Sequence, residues 1–576
     1  MKTFKFLLPL FVCGLLCGSC DTNDSDTGPG SSDFSQNFGS EVNRSFMGRV
    51  VDTNNNPIPQ VSIKIGAKSA VTDSNGVFII MDAGVHEKFA FMTATKTGYI
   101  DGSRSMVPTT GINNVKIMLI QSPPVQTIAS GISSEVALPS GTTVKFDGEF
   151  EDESGNPYSG NISVSLYHLE SSNENMGELM PGMLYAETET GEEAVLKTFG
   201  MLNVELRGSA GQKLQIATGH TAKIEMLIDD SQLSTAPPSI PLWHFDEVNG
   251  YWKEEGSATK IGSKYIGEVA HFSWWNYDAF SSMVNLTLTV TDASGNPLSN
   301  IGVHLTTPSG FTSNTQFTNS NGQVSGIVPA NQTLTAILDD VTICNLSNST
   351  IGPFSIDTVL SIVASSTNTQ TATIQGSIIQ CNNLPMDYGY ITITNGPEVQ
   401  FMNITDGTFT FNFLLCSGVE PNFVMNAYNY NGQTSTGDIN FTYTFPVTTL
   451  GPIVICNPNA EFLTYQVDND PEITFYAFEV SGLVGVPGFF IHSSLDGQEG
   501  FYINSSTSTP GIYNTDTFQI TGPAIYLGPS LPNTIAFNLS SYGEVGTFVD
   551  LTISGTYTDF TGTHTVSGLA HVLRDY

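Results

Sequence analysis

Residues 242–252 read LWHFDEVNGYW and place His244 and Glu247 three apart, the H-x-x-E spacing that two ligands of a hydrolytic zinc can take. Such a site needs three protein ligands on one face, an open coordination position and a general base. In an extended strand, residues three apart point to opposite faces, so His244 and Glu247 converge only across a bend. The Asp-Glu-Val-Asn-Gly that follows supplies a turn signal. A third ligand would be His271, or more remotely His304, His492, His564 or His571, and no motif surrounds any of them. Asp246, Glu247, Glu254 and Glu255 offer the two carboxylates that glycoside hydrolysis requires. In a chain of formal charge −35, however, such clusters arise freely on hairpin rims. No Gly-x-Ser-x-Gly elbow or phosphate loop occurs, and no cysteine sits beside a histidine. The residues therefore assign no catalytic group, no metal and no cofactor, and the chain is expected not to be an enzyme.

The same stretch makes sense as the hairpin that would position these groups. Trp243 and Phe245 share one strand face, Asn249-Gly250 turn the chain, and Trp252 returns, leaving His244, Asp246, Lys253 and Glu255 toward solvent. HFSWWNYD, residues 271–278, reads as a partner strand, with Phe272 and Trp274 alternating with Trp275. All four tryptophans, Trp243, Trp252, Trp274 and Trp275, fall in this region. Two roles are open to them: core packing, or an exposed aromatic platform holding a glycan or peptide.

Composition narrows the setting. Charged residues make up 13% of the 576 residues, about half the usual globular share, and acidic residues far outnumber basic ones. That charge argues against nucleic acid and anionic lipid surfaces as direct ligands. Lys2 and Lys5, the apolar run from Phe6 to Cys17, and Gly18-Ser19 before Cys20 form a charged n-region, a short h-region and a small-residue cleavage site. This resembles a bacterial lipoprotein signal with Cys20 as the lipid attachment site, although Cys17 stands where such signals usually carry Leu. The acidic DTNDSDTGPGSSD after it resembles a surface-export tag, which implies an outer-membrane anchor and cell-surface exposure. Beyond the signal only Cys344, Cys381, Cys416 and Cys456 remain. An even number in an exported chain, with no C-x-x-C pair, predicts disulfides of undetermined pairing.

The body alternates short strands with Gly, Asn, Pro and Asp turns, so the fold class is all-β and multidomain. Internal repeats sharpen this. GRVVDTNNNPIPQVSIKI (48–65), EFEDESGNPYSGNISVSL (149–166) and LTVTDASGNPLSNIGVHL (288–305) each place Asp and Pro five apart, at Asp52/Pro57, Asp152/Pro157 and Asp292/Pro297. A looser copy is GSIIQCNNLPMDYGYITI (376–393). The Asp carboxylate is expected to cap turn amides before Pro fixes the chain into the next strand. A second signature, VTDSNGVFII (71–80) and ITDGTFTFNF (404–413) with a weaker FTNSNGQVSG (317–326), places a hairpin turn before an alternating strand.

In series, these signatures resemble the carboxypeptidase regulatory-like module, a transthyretin/Ig-like β-sandwich that is an appendage in its enzymes and implies a spacer or binding role. Residues 125–280 resemble a different family. Met180-Pro181-Gly182, Thr198-Phe199-Gly200-Met201, Pro241-Leu242-Trp243, Trp252-x-x-Glu255-Gly256 and His271-Phe-Ser-Trp-Trp-Asn276 are similar to the extracellular region of astroprincin-type proteins and of cartilage intermediate layer protein. That resemblance implies an extracellular, non-catalytic β module. The expected organisation is a signal at 1–19, an acidic tether at 20–44, regulatory-like sandwiches at 45–121, 283–366 and 367–457, the tryptophan-rich module at 122–282 and a C-terminal β domain at 458–576. The expected role is a lipid-anchored surface protein, structural, adhesive or ligand-binding. The alternative is a carbohydrate-binding accessory lipoprotein of a glycan-uptake system, with a secreted hydrolase a distant third. Partners are then the membrane, through the anchor, and a glycan or protein ligand.

Overall fold

Alternating apolar residues between turn signals build sheets throughout, and the computed structural model places five β units along the chain. It describes residues 34–339 without a break. It also describes most of 346–575 apart from short stretches, the longest at 365–368, 417–421, 456–461, 483–487, 494–499 and 528–531. Among the described residues the only helices are the 3-10 turn Phe34–Phe38 and the four-residue Met176–Leu179. The first, third and fourth units repeat one plan. A central strand (Glu41–Val51, Met283–Thr291 or Thr369–Gln380) pairs antiparallel with one neighbour and parallel with the unit's last strand, and a second sheet covers it. Each pair of sheets closes on its own apolar cluster, the arrangement of a small Ig-like sandwich. The tryptophan-rich unit is instead one 13-stranded sheet, and the C-terminal unit packs a six-stranded sheet on a five-stranded one.

The Asp-Pro signature folds the same way in every copy. Asp52 Oδ1 accepts the amides of Asn54 and Asn56 at 2.8 and 2.9 Å, Asp152 those of Ser154 and Asn156, and Asp292 those of Ser294 and Asn296. The Asn four residues on returns its side-chain amide to the same carboxylate. A bridge across the turn then joins Val51 to Pro57, Glu151 to Pro157, Thr291 to Pro297 and Ile379 to Pro385. The second signature docks on the first. Gly76, Gly322 and Gly407 have φ near +71°, and a Cβ on any of them would strike the backbone carbonyl of Val50, Val290 or Ile378. Only glycine fits that approach. Asp292 accepts three hydrogen bonds from Ser294 and Asn296, whose donors water can reach once the carboxylate is gone, and we expect Asp292→Ala to cost the third unit ~1–2 kcal/mol, read by calorimetry. Asp292→Asn, which keeps one acceptor oxygen, loses less.

The units do not hang as independent beads. The tryptophan-rich unit shares one apolar cluster with Val51, Ile100, Met118 and Ile120 of the first unit and Phe311 of the third. Gly250 has φ +84°, and a Cβ there would lie 2.2 Å from the Phe91 ring, so the hairpin turn presses directly on the first unit. Arg104, only 5% exposed, reaches from the first unit to the carbonyls of Gly177, Glu178 and Gly182 at 2.6, 2.9 and 3.3 Å. The fourth unit returns to the first. Tyr390 Oη donates to Asp73 Oδ2 at 2.6 Å, Tyr388 Oη to the Ile79 carbonyl at 2.9 Å and Tyr430 Oη to that of Val71 at 2.7 Å. Leu414 of the fourth unit also joins the core of the third.

One expectation changes here. The tether was placed at residues 20–44, but Phe34 and Phe38 are buried against Phe89, Tyr185 and Tyr251, and the first strand begins at Glu41. Phe34 packs tilted against Tyr251 at 4.7 Å and Phe38 stacks on Phe89 at 4.3 Å, so aromatic burial overrides the polar composition around them.

Candidate functional site

The hairpin read from the sequence is present. Strand Ser239–Phe245 pairs antiparallel with Trp252–Ile261, with Phe245 opposite Trp252 and their rings 5.3 Å apart. Asp246 Oδ1 accepts the amides of Val248 and Asn249, closing the turn. Strand Trp274–Ser281 lies on the other side of Ser239–Phe245, with His244 opposite Trp275. Leu242 and Trp243, adjacent on the strand, point to opposite faces and enter separate apolar cores, and the register with the next strand shifts between Pro241 and Trp243.

The four tryptophans named as ligand-binding candidates are core residues. Trp243, Trp252 and Trp275 are fully buried and Trp274 is 3% exposed, so none offers a face on which a sugar could stack. Trp243, Trp252 and Trp274 fill the cluster shared with the first and third units, while Trp275 joins Phe272 in the unit's own core. Phe272 thus shares a core with Trp275 rather than Trp274, because it precedes the strand and strict alternation does not reach it. Cys344, Cys381 and Cys456 lie outside the described residues, as does the side chain of Cys416, and so does Cys20.

The chemistry-bearing side chains regroup in three dimensions. Glu247 turns away from His244 and pairs with Lys213 at 3.3 Å. Asp246 caps the turn and holds Lys253 at 2.9 Å, and Glu254 accepts the Glu189 amide at 3.0 Å. Glu255 takes the place that H-x-x-E suggested for Glu247. Its Oε2 lies 3.5 Å from His244 Nε2 and 3.2 Å from His271 Nε2. The imidazoles meet edge to face with centroids 4.8 Å apart, and both lie against the Trp275 indole, at 5.7 and 5.1 Å. His244 was expected to face solvent, yet its side chain is 19% exposed. Burial, then the neighbouring His271, holds its pKa down at about 4, so the ring is neutral at pH 7. Glu255 stands among the hairpin carboxylates in the sequence, but no ligand spacing along the chain ties it to a histidine. The hairpin register, with His244 opposite Lys253 across the loop 246–251, places Glu255 two residues along the facing strand, whereas a two-residue Asn249-Gly250 turn would have set His244 directly opposite Glu255.

The other candidate histidines lie outside this cluster, His304 in the strand Gly302–Thr306 of the third unit. His492 stacks on Tyr502, His564 bonds Asp468 at 2.7 Å, and His571 bonds Asp550 at 2.5 Å. Elsewhere a cleft of about 630 Å³ opens among the first, third and fourth units, lined by Arg49, Asn55, Asn114, Asn300, Gln400 and Phe401. The Arg49 guanidinium lies over the Phe401 ring at 5.1 Å.

Fold and site together define a multi-unit, all-β protein with Ig-like sandwiches. No family model matches the chain. It is similar to cartilage intermediate layer protein 2 of Homo sapiens, 27% identical over 129 residues, 22% of this chain and 11% of that protein. Cartilage intermediate layer protein 1 of Mus musculus is 25% identical over 109 residues, 19% and 9% of the two chains. The chain thus spans about a tenth of the length of these relatives, and the similarity is partial and weak. Among solved structures, the shaft pilin SpaA of Lactobacillus rhamnosus GG is 9% identical with a TM-score of 0.16, over 31% of this chain and 98% of the pilin. The major pilin subunit BcpA of Bacillus cereus is 9% identical with a TM-score of 0.12, over 72% and 99%. Likenesses of that size carry no argument about role. Among the described residues, no helix is long and apolar enough to cross a membrane.

Proposed function

We propose that the chain is a non-catalytic surface protein, lipid-anchored at Cys20, whose β units form a rigid structural or adhesive body. The observation that carries this reading is where the large side chains go. Tryptophans, Arg104 and the tyrosines of the fourth unit lock units to one another instead of lining a deep reaction site. A body fixed in this way transmits force and holds a distal surface at a set distance, which a loose string of modules does not. The regulatory-like character of the sandwiches belongs to the same proposal and rests on the repeated Asp-Pro turns. The glycan- or peptide-binding alternative moves from the tryptophans to the cleft around Arg49 and Phe401, where polar amides and one aromatic face line a groove.

The test is expression of the full chain and of Cys20→Ala in a Gram-negative host, followed by protease treatment of intact cells. The native chain is expected in the outer-membrane fraction and accessible to protease, with Cys20→Ala released into soluble fractions. A native chain protected until the outer membrane is broken would overturn surface display. Equal membrane retention of both would overturn the anchor.

A further inference from the structure

The strongest unassigned feature is the three-residue cluster on the outer side of the tryptophan hairpin. We propose that His244, Glu255 and His271 form a binding site for a borderline divalent transition metal of the Zn²⁺ class. Their ligand atoms lie within 4.8 Å of one another, and Glu255 Oε2 stands 3.5 and 3.2 Å from the two Nε2 atoms. Metal–ligand bonds of ~2.0–2.1 Å in a tetrahedron put neighbouring ligand atoms ~3.3 Å apart, so the two Glu255 edges fit such a metal, while the edge between the histidines, within 4.8 Å, closes toward that value by side-chain rotation when an ion binds. Two imidazoles and one carboxylate select zinc, nickel or copper over calcium or magnesium, which prefer all-oxygen shells. Three protein ligands leave a fourth position for water.

The backbone positions of the ligands are fixed before any metal arrives. His244 sits mid-strand between two paired strands, and Glu255 lies within Trp252–Ile261. His271 precedes its strand, but its carbonyl accepts the Trp275 indole N–H at 3.0 Å. Phe272 beside it exchanges two hydrogen bonds with the Gln215 side-chain amide, at 2.8 and 2.9 Å. The charge of Lys253, opposite His244, is taken up by Asp246 at 2.9 Å. Each ligand comes from a different segment, so a bound ion would clamp the hairpin to the third strand. This site departs from the expectation, drawn from spacing alone, that no metal is held.

The test uses the full chain without an affinity tag, titrated with ZnCl₂ by calorimetry and with CuCl₂ by tryptophan fluorescence. Trp275 lies close enough to both imidazoles for Cu²⁺ to quench it. One equivalent of Zn²⁺ per chain is expected, with Cu²⁺ quenching reversed by chelator and a rise in the melting temperature of the tryptophan-rich unit. His271→Ala and the milder, near-isosteric Glu255→Gln should each weaken binding by at least about tenfold, the loss already typical of disturbing a ligand's orienting partner. Glu247→Gln, which alters the other half of the H-x-x-E, should bind like the native chain. Absence of one-to-one uptake, or uptake unchanged in Glu255→Gln, overturns the proposal. So does a loss in Glu247→Gln equal to that in Glu255→Gln.

Discussion

Replacing Trp243 by alanine is expected to destabilise the tryptophan-rich unit by ~3–5 kcal/mol, the cost of emptying a buried aromatic site that cannot collapse. The indole is fully buried, lies 5.5 Å from the Phe280 ring, and donates its Nε1–H to the Asp278 carbonyl at 3.1 Å. Its cluster draws residues from three units, so the cavity would also loosen the joints to the first and third. Calorimetry is the appropriate measurement, because a multi-unit chain need not unfold in one transition. The transition of this unit should fall by about 8–16 °C, and the neighbouring ones should shift with it. A drop confined to one transition would mean that the shared cluster does not couple the units. A change of a degree or less would show that the ring is not packed as described.

Arg104→Ala is expected to open the joint between the first two units. The guanidinium is buried without a carboxylate hydrogen-bonded to it and satisfies the carbonyls of Gly177, Glu178, Gly182 and Lys116. Desolvation lowers its pKa to about 10, with Glu178 opposing, so it stays charged at neutral pH. The helix Met176–Leu179 has only one turn, and its carbonyls at Gly177 and Glu178 are capped from outside by this single side chain. Truncation leaves those acceptors buried, and we expect a loss of ~3 kcal/mol or more at the joint. Hydrogen exchange should rise by one to several orders of magnitude across 176–184 while the core strands of the C-terminal unit stay unchanged. Arg104→Lys should fall between, since one ammonium cannot span four carbonyls. Unaltered exchange at 176–184 in Arg104→Ala would remove the residue's assigned role.

Local chemistry made much of this protein legible. An Asp followed by Asn or Gly and then Pro has few ways to turn, so Asp52, Asp152 and Asp292 foretold identical turns, and the presence of the hairpin at 242–252, though not its register, followed from its alternation and Asn-Gly. Periodicity of two says that one strand face is buried, and that sufficed for the all-β class. It does not say what buries it. Whether Trp243 and Trp252 faced a ligand or a core was undecided along the chain, because the surface covering them comes from Val51, Ile100, Met118, Ile120 and Phe311. Those residues lie tens to hundreds of positions away. The same holds for the tether, whose Phe34 and Phe38 find partners in two different units.

The metal-ligand candidates show the division most sharply. Sequence spacing joined His244 to Glu247, three residues apart, whereas pairing across strands joined it to Glu255 and His271. Spacing along an extended chain alternates faces, while register between chains sets which side chains meet. Local residue patterns were enough for the strands, the turns and the net charge. Only the tertiary structure decided which faces close on one another and which histidines share a carboxylate, because those contacts depend on long-range pairing and inter-unit burial that no local pattern encodes.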